Sequence, residues 1–386
     1  MKKAINSQIR YVINKASRFV LPEAYRKILV AKYYNFAAWK QNLSLRESPA
    51  SDADVILEGD ELLKYRYSFS RNLYRGNSLY GTAHVIETYA GHIGDVKACI
   101  EHGVYFGNYV NPSELDQSGL PALVTFGPAR CAHVRAVSDV PLCPIGPYIH
   151  YANPLLNDRE FSTIKNLIGK TLLVFPSHSV DRVRVDYAVA AFCDEIDRVR
   201  VDYDMETVLV SLYYRDFEMP AYHEYVKRGY RIVCAGYRED KSFLMRLKSL
   251  IMLADLTMSN NVGTHVGYCF ALDKPHKIFM QDKIHHSDSA KDDVEFINEF
   301  SSTQELEKKD VAKAFWDFEN CDNALQRNVC QKYWGVDFVR SKSEIRTLLN
   351  LLDSVYSYRP RLRQAALKKA LESEANSDAR ELFWLG

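Results

Sequence analysis

The chain of 386 residues has no apolar run close to the roughly 20 residues that a bilayer-spanning helix needs. Its first residues also lack the continuous apolar core of a secretory signal peptide. The formal net charge is only +1, so the chain as a whole has no basic field of the kind that general nucleic-acid binding requires. These absences predict a cytoplasmic protein that has no nucleic acid as a partner.

Cysteine is sparse, and no two cysteines form a CxxC pair. The chain has eight cysteines, most of them inside apolar runs, which predicts reduced thiols in a core and not disulfides or a zinc site. The motifs HExxH, GxSxG, GxGxxG and GxxxxGK[ST] are all absent. Two short DxD strings, Asp52–Asp54 and Asp202–Asp204, are common enough by chance to carry no weight. We therefore expect no metal ion and no cofactor.

The charge that is present is unevenly placed. Residues 1–40 carry a formal charge of +8, and the remainder of the chain carries −7. Ile5, Ile9, Val12 and Ile13 recur near helical spacing between the basic residues. This segment is either an interfacial helix on an anionic membrane surface or a helix packed on the body with a solvated basic face.

Short apolar runs alternate with amphipathic segments from about residue 90 to residue 280. The predicted strands are 96–100, 122–126, 142–147, 171–175, 207–212, 231–235, a run ending near residue 258, and 277–280. Helices are expected between them, among others over 187–196 and 243–251. This alternation indicates βαβ units and parallel sheets. Prolines and glycines near 142–151 divide the series, so we expect an α/β protein with two Rossmann-like domains and a cleft between them.

Polar side chains follow these strands at the edge where ligands of parallel sheets bind. Glu101 and His102 follow one N-terminal strand and Arg130 follows another. The corresponding residues of the second half are Ser177, His178, Ser179, Arg215, Arg238 and the run from Ser259 to His265. Single members have ordinary explanations, such as a loop cap for His178 or a salt bridge at a strand end for Glu101. Their repetition at one edge favours a binding site.

The stretch "MSNNVGTHVGYC", residues 258–269, is the most specific of these features. A strand, a turn of small polar residues and an apolar helix follow one another, and free amides at a helix start favour an anion. Gly263 permits close backbone approach, and Thr264 is placed to cap the helix or to offer its hydroxyl. A ligand-free helix cap is the alternative, but it would not need His265. We predict a phosphate site in which Arg215, Arg238 and His265 stabilise a leaving group.

Four runs of the sequence resemble a known family. "EHGVYFGNYV", "CPIGPYIHYA", "LLVFPSHS" and "SNNVGTHVGYC" look like GT-B glycosyltransferases that build bacterial capsule or O-antigen polysaccharide. The resemblance covers roughly residues 70–285. It implies a GT-B-like α/β fold of two Rossmann-like domains with parallel sheets facing a central cleft. The expected divisions are a basic segment 1–45, an acceptor-side domain 46–155, a donor-nucleotide domain 156–345 and a helical tail 346–386.

The resemblance also implies roles for the residues at the strand ends. The donor, a nucleotide-activated sugar, would be held by Ser177, His178, Ser179, Arg215, Arg238, Ser259, Asn260, Gly263, Thr264 and His265. Glu101 and His102, with Arg130 nearby, would act on the hydroxyl of the acceptor. The implied acceptor is a lipid-linked oligosaccharide, and the basic segment would hold the enzyme on the inner face of the cytoplasmic membrane.

Two alternatives remain open at this point. The turn Ser259 to His265, followed by Lys274-Pro275 and a strand, also resembles polyol-phosphate polymerases of the teichoic-acid type, which implies a CDP-glycerol-type transferase. A non-catalytic nucleotide-sugar-binding assembly protein would use the same cleft. The sugar, the nucleotide (UDP, GDP, CDP or CMP, the last with Kdo-like acidic sugars) and the stereochemical outcome are all left open.

Overall fold

The computed structural model describes residues 32–33, 36–37, 39–49, 51–69, 72–110, 115, 119–179, 183–287, 301–319, 322–373 and 376–384. Most of the basic segment 1–40 lies outside these ranges, so its attachment to a membrane stays a prediction. Within the ranges, no helix is both long enough and apolar enough to cross a bilayer. Residues 39–43 are helical and lead into the body of the protein.

The N-terminal half contains a small parallel sheet in the order β1-β2-β3. Its strands are β1 (Cys99–Ile100), β2 (Leu123–Thr125) and β3 (Leu142–Pro144). All of their residues are buried, as expected for a parallel sheet covered on both faces. Helix α1 (Thr82–Ala90) precedes the sheet, and helix α2 (Pro128–Arg135) follows β2 with its proline in the first turn, where no backbone N–H is needed.

The C-terminal half contains a five-stranded parallel sheet. The strands of this half are β4 (Thr171–Phe175), β5 (Val183–Asp186), β6 (Thr207–Ser211), β7 (Arg231–Val233), β8 (Leu256–Ser259), β9 (His276–Ile278) and β10 (Ile284–Ser287). The sheet order is β7-β6-β4-β8-β9, while β5 and β10 pair antiparallel outside it. Counted along the chain this order is 3-2-1-4-5, the Rossmann order, and it reverses between β4 and β8. A ligand crevice is expected at that point.

Helices cover both faces of this sheet and connect its strands. They are α3 (Asp158–Ile168), α4 (Val189–Asp202), α5 (Pro220–Lys227), α6 (Phe243–Leu253) and α7 (Thr264–Ala271). Helix α3 begins with a capping box in which Asn157 and Glu160 satisfy each other's backbone N–H groups. It ends at Gly169, whose φ of +60° few other residues adopt without strain.

Four further helices follow the second sheet and pack back on both halves. They are α8 (Ser301–Ala314), α9 (Asn323–Trp334), α10 (Lys342–Tyr356) and α11 (Arg363–Leu371), with a single turn after them at Ser377–Arg380. Another single turn, Gly59–Leu62, precedes the first sheet. Helix α10 contacts α1, and α9 contacts both α2 and α7. Leu367 and Leu371 are buried, so the tail packs on the body of the protein.

One large apolar core joins the two halves. It contains Ile100 and Val124 from the first sheet together with Leu173 and Leu209 from the second. Trp334 is fully buried in the same core, and a Cβ added at Gly267 would lie 2.1 Å from its Cγ. Only glycine therefore allows α7 and α9 to approach this closely.

The predicted α/β class with two parallel sheets is confirmed, and most of the predicted strands form. Differences are confined to their ends: the run 96–100 is strand only at Cys99–Ile100, and helix α4 continues to Asp202. The seven cysteines that the structure describes are buried thiols outside any disulfide, as expected. The heptapeptide Asp-Arg-Val-Arg-Val-Asp-Tyr occurs twice in the sequence, and its copies differ in structure, because residues 183–186 form strand β5 while residues 199–202 end helix α4.

Candidate functional site

The carboxyl ends of β4 and β8 lie side by side at the point where the strand order reverses. Phe175 pairs with Ser259 across these strands, so the loops that follow them begin together. The Ser177 N–H and hydroxyl both donate to Asn260 Oδ1, at 2.7 and 2.9 Å. Asn260 Nδ2 in turn donates to Gln281 Oε1 at 3.0 Å. Ser177 and Asn260 therefore fix the shape of the crevice through bonds to each other.

Ser259 has a similar supporting role. Its hydroxyl donates to the Asn261 carbonyl at 2.8 Å and lies 3.0 Å from His276 Nε2. The other ring nitrogen of His276 lies 2.8 Å from Thr257 Oγ1. His276 is 1% exposed, and burial lowers its pKa well below the usual value. The predicted phosphate ligand Ser259 is thus part of a buried network beneath the crevice floor.

His265 differs from these neighbours because one of its ring nitrogens has no partner. The ring donates from Nδ1 to the Asn261 backbone oxygen and stacks on Phe175, with centroids 4.9 Å apart. Nε2 is buried without a hydrogen bond. Burial, together with the nearby His178 and Lys283, lowers the His265 pKa to about 3. The imidazole is therefore neutral near pH 7.

Three further basic side chains belong to this region: His178 and Lys283 lie near His265, and Lys308 lies near Lys283. The ring of His178 reaches solvent, yet the protein atoms that crowd it lower its pKa. Burial and the charge of Lys308 lower the Lys283 pKa to about 7, against a smaller opposing effect of Asp282. Burial also lowers the Lys308 pKa, opposed by Glu305. Burial is the main cause of these lowered pKa values, and an anion bound beside these bases would favour their protonated forms.

The loop after β1 is bonded directly to the start of α7. The Val104 N–H donates to Thr264 Oγ1 at 3.0 Å, and a Cβ added at Gly103 would lie 3.1 Å from the same oxygen. Thr264 therefore joins the two halves of the protein and is not simply a ligand-facing hydroxyl. The bond brings the loop that carries His102 beside the helix that carries His265.

Glu101 and Arg130 form a buried ion pair. Arg130 donates to Glu101 Oε1 from Nε at 2.8 Å and from Nη2 at 2.6 Å, and the Thr125 hydroxyl donates to Oε2 at 2.6 Å. Glu101 is 0% exposed and Arg130 is 3% exposed. This is the strand-end salt bridge that stood as the alternative to a catalytic Glu101. Both carboxylate oxygens are engaged, so Glu101 has no oxygen available to take a substrate proton in this conformation.

His102, the neighbour of Glu101, is half-buried beside two tyrosines. Its Nδ1 lies 3.3 Å from Tyr105 Oη, and its ring centroid lies 6.0 Å from that of Tyr80. Tyr80 has a φ of +57°, a conformation that non-glycine residues rarely adopt. Strain of this kind often marks functional sites. The Tyr213 hydroxyl donates to Tyr80, so Tyr80 connects His102 with the loop after β6.

The remaining predicted ligands have partners within the protein. The Ser179 N–H donates to both oxygens of Asp216 at 3.2 and 3.3 Å, and burial raises the Asp216 pKa to about 6. Arg238 Nε donates to Glu239 at 2.8 Å, and the guanidinium of Arg215 lies 5.4 Å from the ring centre of Tyr214. Gly263 has an extended backbone and precedes α7 without a side-chain cap. These residues lie at the edge of the site and support its shape.

Sequence patterns missed Tyr80, Tyr213, Lys283 and Lys308. The lysines come from a loop and from a helix outside the strand series, so no strand-end rule points to them. No group of three or more His, Cys, Asp or Glu residues suited to a metal ion occurs among the residues that the structure describes. The absence of a metal from the reaction stays a prediction.

The fold defines the class of protein at this point. Two parallel α/β sheets turn their carboxyl ends toward a shared cleft, and the larger has Rossmann order, which makes the architecture GT-B-like. No model of a known protein family matches the chain, and no curated protein matches it.

Solved structures with a similar arrangement are enzymes. The wall teichoic acid polymerase TagF (H548A) is 11% identical, with 70% of this chain and 68% of that chain covered and a TM-score of 0.37. MnaA of S. aureus with UDP is 10% identical, covering 70% and 71%, with a TM-score of 0.35. UDP-GlcNAc 2-epimerase of Neisseria meningitidis bound to UDP-GlcNAc is 9% identical, covering 67% and 63%, with a TM-score of 0.32. Identities this low assign no role to any residue.

Proposed function

We propose that the protein is a glycosyltransferase that binds a nucleotide-activated sugar at the β4–β8 crevice and transfers the sugar to a hydroxyl of a growing surface glycan. One observation carries the proposal. At the reversal point of a Rossmann sheet, the unpartnered Nε2 of His265 is buried near His178 and Lys283, and Lys308 lies beside Lys283. A phosphate group fits this crevice in charge and in position.

The anionic part of the donor would be held on the C-terminal side. A phosphate beside His265 raises the pKa of that ring, since an opposite charge favours the protonated form. The protonated Nε2 then donates to a phosphate oxygen while Nδ1 keeps its bond to Asn261. Lys283 and Lys308 add positive charge as the bond between the sugar and the phosphate breaks and the phosphate leaves with the electron pair. In this proposal these cations stabilise the leaving group without a metal.

The proton of the attacking hydroxyl would go to the N-terminal side. Because Glu101 is occupied by Arg130 and Thr125, His102 takes the role of general base. In the tautomer that donates from Nδ1 to Tyr105 Oη, Nε2 of His102 would accept the proton. The bond from Val104 to Thr264 keeps this loop against α7, so the base and the leaving-group site lie on opposite walls of one cleft.

The acceptor and the cellular location belong to the same proposal. A lipid-linked oligosaccharide at the inner face of the membrane would serve as acceptor, and residues 1–40 with their charge of +8 would hold the enzyme there. Washing isolated membranes with high salt tests the attachment. Release supports electrostatic attachment, whereas retention would point to insertion of apolar side chains.

Donor binding is tested by thermal shift with UDP-, GDP-, CDP- and CMP-linked sugars, with CDP-glycerol included in the panel. A donor present at 100 times its dissociation constant should stabilise the fold by about 2.7 kcal/mol. Lys308→Gln should weaken this binding. Lys309→Gln, one position along the same helix and exposed, is the matched control.

Transfer is tested with the donor that binds. His102→Asn should retain donor binding and lose about 10²–10⁴-fold in rate, the usual range for a general base. Addition of EDTA should leave the rate unchanged. Stabilisation by CDP-glycerol alone would favour the polyol-phosphate transferase, and binding without transfer to any glycan would favour the assembly protein. No shift with any donor would overturn the proposal.

A further inference from the structure

A separate cavity of about 290 Å³ lies away from the histidines, between the segment 48–68 and the residues that follow β7. Tyr65, Tyr67 and Tyr237 supply aromatic surface to its wall, and Ser51, Ser68 and Ser242 supply hydroxyl groups. The rings of Tyr67 and Tyr237 stack, with centroids 5.0 Å apart and planes 26° apart. The cavity therefore combines a flat aromatic surface with several hydrogen-bonding groups.

Two polar atoms of the lining residues are buried without a hydrogen bond. They are Tyr67 Oη and Arg246 Nε. Arg246 is 3% exposed, and its other nitrogens are engaged with the Ala235 carbonyl at 2.7 Å, with Asp240 at 3.0 Å and with Asp52 at 3.1 Å. A buried donor without a partner is unfavourable, and a ligand oxygen in the cavity would satisfy it.

The lining charges balance each other. Asp52 and Asp240 neutralise Arg246, and Arg66 donates to the carbonyls of Leu45 at 3.1 Å and Leu43 at 3.4 Å. An anionic ligand would gain little here, whereas a neutral molecule with many hydroxyl groups would find both donors and acceptors.

A continuous row of aromatic rings connects this cavity with the histidine site. From Tyr237 the next ring is Tyr214 at 5.1 Å, followed by Tyr213 at 4.6 Å and His178 at 5.1 Å, all measured between centroids. Each of these four side chains is exposed or partly exposed. Aromatic faces of this kind suit the C–H face of a sugar ring while its hydroxyls bond elsewhere.

We propose that the cavity binds an uncharged sugar unit of the acceptor glycan and that the row Tyr237, Tyr214 and Tyr213 guides the glycan from this cavity to His178. The path of the acceptor rests on the proposed function. The cavity as a carbohydrate site stands on its own lining.

Saturation-transfer NMR with the methyl glycosides of glucose, galactose, N-acetylglucosamine and rhamnose tests the cavity, with glucuronate as the charged comparison. At least one neutral glycoside should receive saturation, and Tyr67→Ala should weaken its binding about tenfold. Tyr67→Phe keeps the stacked ring and removes only the hydroxyl, so it should give a smaller loss and remain informative if the alanine variant does not fold. Tyr222→Phe, whose hydroxyl bonds Asp60 elsewhere on the surface, is the control.

The outcomes separate the two proposals. Neutral sugars that bind independently of Tyr67, or fail to bind at all, would overturn the cavity proposal even if nucleotide donors bind at His265. Glucuronate that binds as well as the neutral glycosides would also overturn it. If neutral sugars bind through Tyr67 and no nucleotide donor binds, the cavity stands and the glycosyltransferase proposal fails.

Discussion

The residues that follow the strands of the two sheets differ in how far the protein satisfies their hydrogen bonds. After β1, Glu101 is fully buried and both of its oxygens are used by Arg130 and Thr125. After β8, His265 is held by one ring nitrogen while the other is buried with no partner. Both residues occupy the strand-end position where ligands of parallel sheets bind. Only the second retains hydrogen-bonding capacity for a ligand.

The difference teaches that position and role are separate properties of a strand-end residue. The position of such a residue follows from topology, because the residues that follow the strands of a parallel sheet all lie at the same edge. Role depends on whether the protein itself satisfies the side chain. A satisfied ion pair at that edge stabilises the fold, and an unsatisfied, oriented imidazole is available for chemistry.

The largest effect on stability is expected from breaking the ion pair between Glu101 and Arg130. Arg130→Met leaves the Glu101 carboxylate buried without its cation and should cost about 3–5 kcal/mol of unfolding free energy. Urea denaturation measures it. The double variant Glu101→Met with Arg130→Met should recover much of the loss, and a single variant as stable as the wild type would contradict the structural role.

A smaller effect on stability is expected when the pH is lowered, because buried histidines of the C-terminal half titrate. His265 and His276 have lowered pKa values in the fold, so below pH 6.5 the unfolded chain takes up protons that the folded protein refuses. Stability should be fully present above this pH. It should fall by up to about 1.4 kcal/mol per pH unit for each histidine as the pH drops.

Urea midpoints at pH 7.5 and 5.5 measure this slope. His276→Gln removes one of the buried titrating groups and should flatten the dependence, while replacement of the exposed His223 should leave it unchanged. A slope that His276→Gln does not alter would show that the buried histidine is not the source.

The smallest effect is expected from removing the hydrogen bond between Val104 and Thr264, which joins the two halves of the protein. Thr264→Val removes the acceptor of the Val104 N–H and should cost about 1 kcal/mol. Thr264→Ser retains the hydroxyl and should restore most of the loss. If transfer depends on His102 lying beside His265, the valine variant should also lower the rate. A lower rate at unchanged donor affinity would show that the bond positions the catalytic base.

The sequence predicted the fold well because its signal is local. Apolar runs of about five residues between amphipathic segments identified every strand of the two parallel sheets, including Thr171–Phe175 to the residue. The edge that carries the site followed from the parallel topology. The hydrogen-bond partners of the site residues could not be predicted in this way. Val104 and Thr264, for example, are 160 residues apart, and no local sequence pattern indicates their contact.

The repeated heptapeptide shows the limit of local information most directly. Val-Arg-Val-Asp is strand β5 at residues 183–186, where it pairs with β10. The same four residues at 199–202 complete helix α4, where Val199 is buried against the second core. The two copies have the same secondary-structure propensity, so contacts with residues distant in sequence must override it in one of the two places.

The contact of Trp334 with the start of α7 gives the protein an internal optical reporter. The indole Nε1–H donates to the Thr264 carbonyl at 3.1 Å, and the ring is fully buried against Gly267. The next residue along α7 is His265, so any ligand that moves this first turn changes the polarity around the indole. Intrinsic fluorescence of Trp334 would then follow occupancy of the crevice without a label.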